Sequence, residues 1–284
     1  ALSEVRQLMT QHAATSSGRV RVWPTLFGLF SLCSDELFVG VRKLADEYGT
    51  GTNFHVASSI EEATELRDRC GRWPISQLDA LGVLGDNVLL THAVMVKDEE
   101  VDLLAERGTK IAHCPGAALR LAKGATRHGK MPEMLSGGVP VALGADGVCS
   151  CGTFDHVRLA GLAAGLFKDA RMDAALIPAE TALEMATLNG AKALLWDDEI
   201  GSLTVGRKAD LIQFDLNRPE WVPCHDPVRT LVYSADGASV VSAFVDGVEV
   251  LANRQATRLD EAALLSSARE TAARVVSRMG LTVT

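Results

Sequence analysis

Cysteine, basic charge, long apolar runs and internal repeats are all in short supply in this chain of 284 residues, and each shortage excludes something. The six cysteines, at 33, 70, 114, 149, 151 and 224, are too sparse for a disulfide scaffold. They contain no C-x-x-C pair, which argues against a thiolate zinc site. The formal charge of −8 leaves no basic face for a phosphate backbone. No apolar run approaches the roughly 20 residues that cross a bilayer. The opening Ala-Leu-Ser-Glu-Val-Arg carries no signal-peptide core. No repeat and no low-complexity stretch is present, and no His-x-His occurs anywhere. What is present is ordinary globular composition, 47% hydrophobic and 23% charged. The expectation is a soluble, cytoplasmic protein with neither nucleic acid nor membrane as partner.

The patterning alternates. Residues 1–17 have helical spacing, stopped by Gly18, and Val20-Arg21-Val22-Trp23 reads as a short strand ended by Pro24. A helix over 34–48 starts at Ser34 or Asp35, with Leu37, Val41, Leu44 and Ala45 as its apolar stripe. Strands follow at 52–56, 88–94, 110–114 and 139–143. Helices lie between them at 59–70, 75–82, 97–107 and 130–136, and two more follow at 152–166 and 179–195. In the first of these Ser59 and Glu62 have capping-box spacing. Strands and helices alternating at this pitch predict β-α-β units and an α/β fold with a parallel sheet of five strands. Beyond residue 200 the pattern changes to strands at 209–215, 230–233 and 240–245, with Asp246-Gly247 as a hairpin turn leading to Val248-Glu249-Val250. A charged amphipathic helix over 258–279 ends the chain. The expected division is therefore 1–200 for the parallel α/β part and 201–284 for a small antiparallel β element with its terminal helix.

Three of the seven histidines, His55, His92 and His113, fall at or near carboxyl ends of the predicted parallel strands. Asp146 lies just past the last one, in Gly144-Ala145-Asp146-Gly147. In a (β/α) barrel these ends open on one face, which carries the site. Two imidazoles and a carboxylate suit a divalent metal such as zinc, which would lower the pKa of bound water to near 7. Position alone leaves His55, His92 and Asp146 evenly divided between structural and ligand roles. His12, His128, His156 and His225 are read as structural, and Cys149-Ser150-Cys151 as two ordinary thiols.

The residues from Val88 to Gly147 resemble the amidohydrolase superfamily, in the branch of guanine, S-adenosylhomocysteine and s-triazine deaminases and chlorohydrolases. The resemblance is carried by Leu90-Thr91-His92-Ala93-Val94, Gly108-Thr109-Lys110-Ile111-Ala112-His113-Cys114-Pro115, Leu119-Arg120-Leu121 and Gly144-Ala145-Asp146-Gly147. It continues in Glu184-Met185-Ala186-Thr187-Leu188-Asn189-Gly190-Ala191, Asp198-Glu199-Ile200-Gly201-Ser202-Leu203 and Gly206-Arg207-Lys208-Ala209-Asp210-Leu211. It covers about residues 19–250, and its specificity lies in the order and spacing of the pieces.

The resemblance implies the C-terminal part of a (β/α)8 TIM-type barrel, strands four to eight, followed by a small β element. It implies His55 and Asp146 as metal ligands, with Asp146 also taking a proton from the attacking water. His92 would polarise the substrate or orient the water, and His113 would support the site from behind. The implied reaction is attack of metal-bound hydroxide on an amino-substituted purine, pterin, pyrimidine or s-triazine, with zinc as the metal and iron as the alternative. Ring opening of a cyclic amide is a second implied chemistry, and a catalytically dead binding relative a third reading. Two departures stand out. Ser58 occupies the position where the branch carries a proton-shuttling Glu three residues after the fifth-strand His, and Glu61 and Glu62 are expected on the next helix, facing away. The His-x-His metal pair of the first barrel strand is missing. A truncated reading frame, a split enzyme whose other chain supplies the missing strands, or an assembly covering the open sheet edge, such as a homo-oligomer, would each account for that. The small-molecule partner expected throughout is a heterocyclic substrate.

Overall fold

The computed structural model describes residues 2–15, 18–28 and 30–281. Helix α1 (Leu2–Thr15) covers most of the helix expected over 1–17, of which residues 1, 16 and 17 lie outside the described residues. The sheet begins at β1 (Thr25–Leu26), after Pro24 rather than before it. The expected strand at 20–23 is thus displaced. Pro24 has no N–H to donate to a ladder, and its carbonyl instead accepts the Thr52 hydroxyl at 2.7 Å. Helix α2 (Asp35–Tyr48) buries Phe38, Val41, Leu44 and Ala45, so Phe38 rather than Leu37 leads its stripe.

The regular units follow: β2 (Thr52–Val56), α3 (Ile60–Cys70), α4 (Pro74–Ala80), β3 (Val88–His92), α5 (Asp98–Glu106) and β4 (Lys110–His113). Three short helices, α6 (Pro115–Arg120), α7 (Ala125–His128) and α8 (Met131–Ser136), then lead to β5 (Val141–Leu143). Strands β1 to β5 form a parallel five-stranded sheet in sequence order. One face, with Phe54, Val56, Leu90, Ile111, Val141 and Leu143, belongs to the main hydrophobic core. On the other, Leu89 and Ala142 pack with Trp23 and Ala193. Covered faces explain why these strands read as near-continuous apolar runs.

Helices α9 (Val148–Cys151) and α10 (His156–Arg171) come next. The single helix expected over 179–195 is two, α11 (Ala179–Ala186) and α12 (Leu188–Ala193), broken at Thr187 with φ −130° and ψ −90°. After β6 (Leu211–Phe214) the expected strand at 230–233 is instead helix α13 (Pro227–Tyr233). Its β-branched residues are overridden at the N-terminus. Asp226 accepts from the N–H groups of Val228 and Arg229, both at 3.1 Å, and Pro227 opens the first turn. The chain closes with β7 (Val240–Val245), β8 (Val248–Ala252), β9 (Gln255–Ala256) and α14 (Glu261–Arg278).

Two compact units result. The first comprises 1–207 and 217–238, so the segment carrying α13 folds with the parallel sheet. A close approach secures it: a Cβ on Gly161 would lie 2.6 Å from the Val232 carbonyl oxygen. Asp155 caps α10 through the N–H groups of Val157 (3.0 Å) and Arg158 (3.3 Å), and with its other oxygen holds the Gly237 N–H at 2.8 Å. The second unit, 208–216 with 239–284, holds an antiparallel sheet in the order β6-β7-β8-β9 and helix α14. Its hairpin turn places both Asp246 (φ 52°) and Gly247 (φ 74°) in the left-handed region, as the Asp-Gly signal predicts. No helix among the described residues is long and apolar enough to cross a membrane.

Asp155 thus serves a helix cap and a distant segment at once. Asp155→Ala is expected to destabilise the first unit by about 1–2 kcal/mol, with Asp155→Asn milder, as read by urea denaturation. An unchanged midpoint in the alanine variant would contradict this role.

Candidate metal centre and active site

Parallel pairing brings the carboxyl ends of β2 to β5 to one rim. His55 is the fourth residue of β2, on the same side as Asn53 and opposite the core residues Phe54 and Val56. His92 ends β3 and takes φ 78°. That left-handed step swings its ring toward His55, and the two ring centroids are 5.3 Å apart. Asp146 follows β5 by three residues with φ 66°. Its Oδ1 accepts the Gly147 N–H at 2.7 Å, a local bond of the kind that lets aspartate occupy this region. Gly28, at φ 81°, lets the chain after β1 pass against this strand end, because a Cβ there would lie 2.5 Å from the His55 carbonyl oxygen.

One ligand atom from each of His55, His92 and Asp146 lies within 4.8 Å of the others. His92 Nε2 is 3.7 Å from Asp146 Oδ2. His92 is 3% exposed, and His55 and Asp146 are half-buried. Burial holds both imidazoles below their ordinary pKa. For His92 it combines with the nearby Lys123 and His55 to bring the value to about 3. Both rings are therefore neutral at neutral pH, with a lone pair available on each. His55 Nδ1 is buried with no hydrogen-bond partner in the protein. An unpartnered ring nitrogen beside a second neutral imidazole and a carboxylate is a donor set that suits a divalent cation.

His113, the last residue of β4, stands apart from this cluster. It is fully buried, its ring 6.0 Å from that of Phe167, its Nε2 without a partner and its pKa brought down by burial to about 4. Ser58 is buried at the end of the β2 loop. Here the structure corrects one expectation. Glu62 does not face away: its carboxylate turns back and accepts from Ala57 N–H (3.2 Å), Ser58 N–H (2.8 Å) and Ser58 Oγ (3.1 Å). Burial raises its pKa against those hydrogen bonds. Two further residues went unread in the sequence. Lys123, in the loop after α6, puts Nζ 3.4 Å from His92 Nε2. Phe27, 66% exposed, places its ring 5.4 Å from that of His55, tilted by 34°.

The architecture so assembled is an α/β protein with a candidate metal centre at the carboxyl ends of its parallel strands. The chain belongs to the amidohydrolase family, whose model matches residues 3–250. It is 36% identical over 245 residues to a 5'-deoxyadenosine deaminase of Methanopyrus kandleri, covering 86% of this chain and 56% of that protein. It is 38% identical over 247 residues to a 5-methylthioadenosine/S-adenosylhomocysteine deaminase of Moorella thermoacetica, covering 87% and 55%. Among solved structures, a zinc-bound adenosine deaminase from Xanthomonas campestris superposes with a TM-score of 0.92 at 30% identity, over 97% of this chain and 61% of that one. An atrazine chlorohydrolase from Arthrobacter aurescens, complexed with zinc and atraton, gives 0.85 at 25% identity, over 94% and 59%. The chain thus spans little more than half the length of these two curated relatives.

Two outcomes are expected. Glu62→Ala strips three buried donors of their acceptor and should cost about 2–4 kcal/mol, with Glu62→Gln milder, measured by chemical denaturation. An alanine variant as stable as the parent would show that water replaces the carboxylate. For His113 the pKa falls from 6.5 unfolded to about 4 folded. The unfolded chain therefore takes up the proton first, and stability drops as pH falls from 6.5 toward 4. In metal-free buffer, His113→Leu should flatten that part of the stability profile. An unaltered slope would assign acid sensitivity elsewhere.

Proposed function

We propose that this chain carries the metal-binding and catalytic rim of an aminohydrolase that deaminates an amino-substituted nitrogen heterocycle. The observation that carries the reading is the convergence of His55, His92 and Asp146 at the strand ends of an amidohydrolase-family chain. The names of the relatives support purine nucleosides of the 5'-deoxyadenosine and 5-methylthioadenosine kind as first substrates. The triazine likeness supports s-triazines next, and pterins and pyrimidines complete the class. In this reading β1 to β5 are strands four to eight of a (β/α)8 barrel. Residues 1–200, with the 217–238 segment that folds with them, would be the hydrolase domain, and the remainder of 201–284 the β element with its terminal helix. The six free cysteines accord with a cytoplasmic location.

His55 and Asp146 would hold the divalent ion, zinc as in the bound neighbours, with iron the alternative. A bound ion would supply Lewis acidity that brings the pKa of a water toward about 7. Asp146 has one oxygen tied to the Gly147 N–H, which leaves Oδ2 to take a proton from the attacking water and return it to the departing amine. His92, neutral and buried, keeps one ring N–H to donate to the oxygen forming on the substrate carbon. Proton delivery to the heterocycle nitrogen is assigned to a relay in which Ser58 Oγ passes on its proton and takes one from Glu62 in its protonated, carboxylic acid form, a form that burial favours. His113 supports the rim from the core side. His55 and Asp146 are two of the three protein ligands usual at a catalytic zinc. A different partner chain that presents a His-x-His pair would complete the ligand set, whereas a second copy in a homo-oligomer would cover the open sheet edge without supplying one.

Ser58 in place of an acid favours one second reading, a non-catalytic relative that binds a heterocycle without turning it over. The assay is ammonia release from 5'-deoxyadenosine by the zinc-loaded protein, with the product checked for an intact ring. A ring-opened product would replace deamination by cyclic-amide hydrolysis, and tight binding with no product would support the second reading. His55→Ala and Asp146→Asn should lose the metal. His92→Ala should keep the metal and lose at least about 100-fold in turnover. Full activity in His92→Ala would remove its assignment.

A further inference from the structure

Lys123 is the one cation that the structure places against the candidate ligands among the described residues, and the reading above does not use it. Its Nζ lies 3.4 Å from His92 Nε2, the same nitrogen that lies 3.7 Å from Asp146 Oδ2. The side chain is half-buried, and burial opposes its charge. The groups whose fields favour that charge are the carboxylates Asp146 and Glu62. His55 also feels Lys123 and Asp146, in opposite senses. The ammonium is thus drawn to the rim by the carboxylate that would attract a metal ion, and it lies against the imidazole that faces the same point.

A dication held by His55 and Asp146 would repel a like charge at this distance. Lysine suits such a post better than arginine, because its charge is compact and its four-carbon stem can swing.

We propose that Lys123 is a built-in competitor for the metal centre: its ammonium stands in for the cation against His92 and Asp146, and must leave before a divalent ion binds. Lys123 thereby sets the affinity of the rim for metal. The inference rests on the metal reading of the site, and its test separates the two.

The test uses the full chain, zinc alone as probe, and affinity measured by competition with a chromophoric chelator. Cobalt absorption reports the ligand geometry as a second readout. Lys123→Met keeps the stem and removes the charge, and it should bind zinc about tenfold tighter or more. Lys123→Arg keeps the charge and should show no such gain. Adding His55→Ala to Lys123→Met should abolish the gain. Thermal unfolding of the metal-free variants checks that each is folded. If His55→Ala weakens zinc binding in the parent but Lys123→Met binds zinc no tighter than the parent, the competitor proposal is overturned and the metal site stands. If His55→Ala leaves zinc binding unchanged in both backgrounds, the metal site itself is overturned, and the proposal with it.

Discussion

Parallel strand pairing is the constraint on which the rest of this molecule depends. Antiparallel neighbours would send alternate strand ends to opposite edges. Five parallel strands in sequence order deliver every carboxyl end to one rim. Side chains as far apart in the chain as His55 and Asp146 therefore meet within hydrogen-bonding range of a common point. The helices that return the chain also cover the sheet, so the rim sits on a rigid, apolar base. The left-handed backbone at Ala57, His92 and Asp146 falls at this rim. There the chain leaves the strand direction to aim a side chain, the usual setting of such local strain.

The chemistry of the rim follows from what burial does to charge. Imidazoles deprived of water stay neutral, and neutral imidazoles are ligands and donors rather than cations. The carboxylates are treated differently. Asp146 keeps one oxygen fixed by a backbone N–H and the other turned to the histidines. Glu62 is withdrawn behind Ser58, where backbone and hydroxyl donors hold it. Lys123 adds a single positive charge to an otherwise neutral and anionic cluster. In the proposed reading the rim would receive a metal ion where this lysine now stands.

The sheet was legible in the sequence because buried parallel strands are apolar on both faces, and four of the five apolar runs lie where the strands lie. His55, His92 and Asp146 could be picked out because each sits at the end of such a run. Other features were hidden for identifiable reasons. Val20 to Trp23 has strand composition, yet Pro24 shifts the ladder past it. Thr230 to Tyr233 has strand composition too, but the Asp226 cap and Pro227 fix a helix. Glu62 read as an ordinary capping-box glutamate. The turn at Ala57, with φ 52°, precedes the Ser58 N–H that the carboxylate accepts, and no local pattern reports such a turn. Lys123 follows a short helix opened by Pro115, too brief to show periodicity, so its approach to His92 is a tertiary fact only.

The central claim is that the rim formed by residues 55, 92 and 146 is a metal centre. Anomalous diffraction at the zinc absorption edge, from crystals of the protein grown with zinc, tests it most directly. The account predicts one strong peak bonded to His55 and Asp146, with the ring of His92 facing it and Nζ of Lys123 withdrawn. A zinc peak only at other residues, with the His55 and Asp146 side chains turned apart, would contradict it.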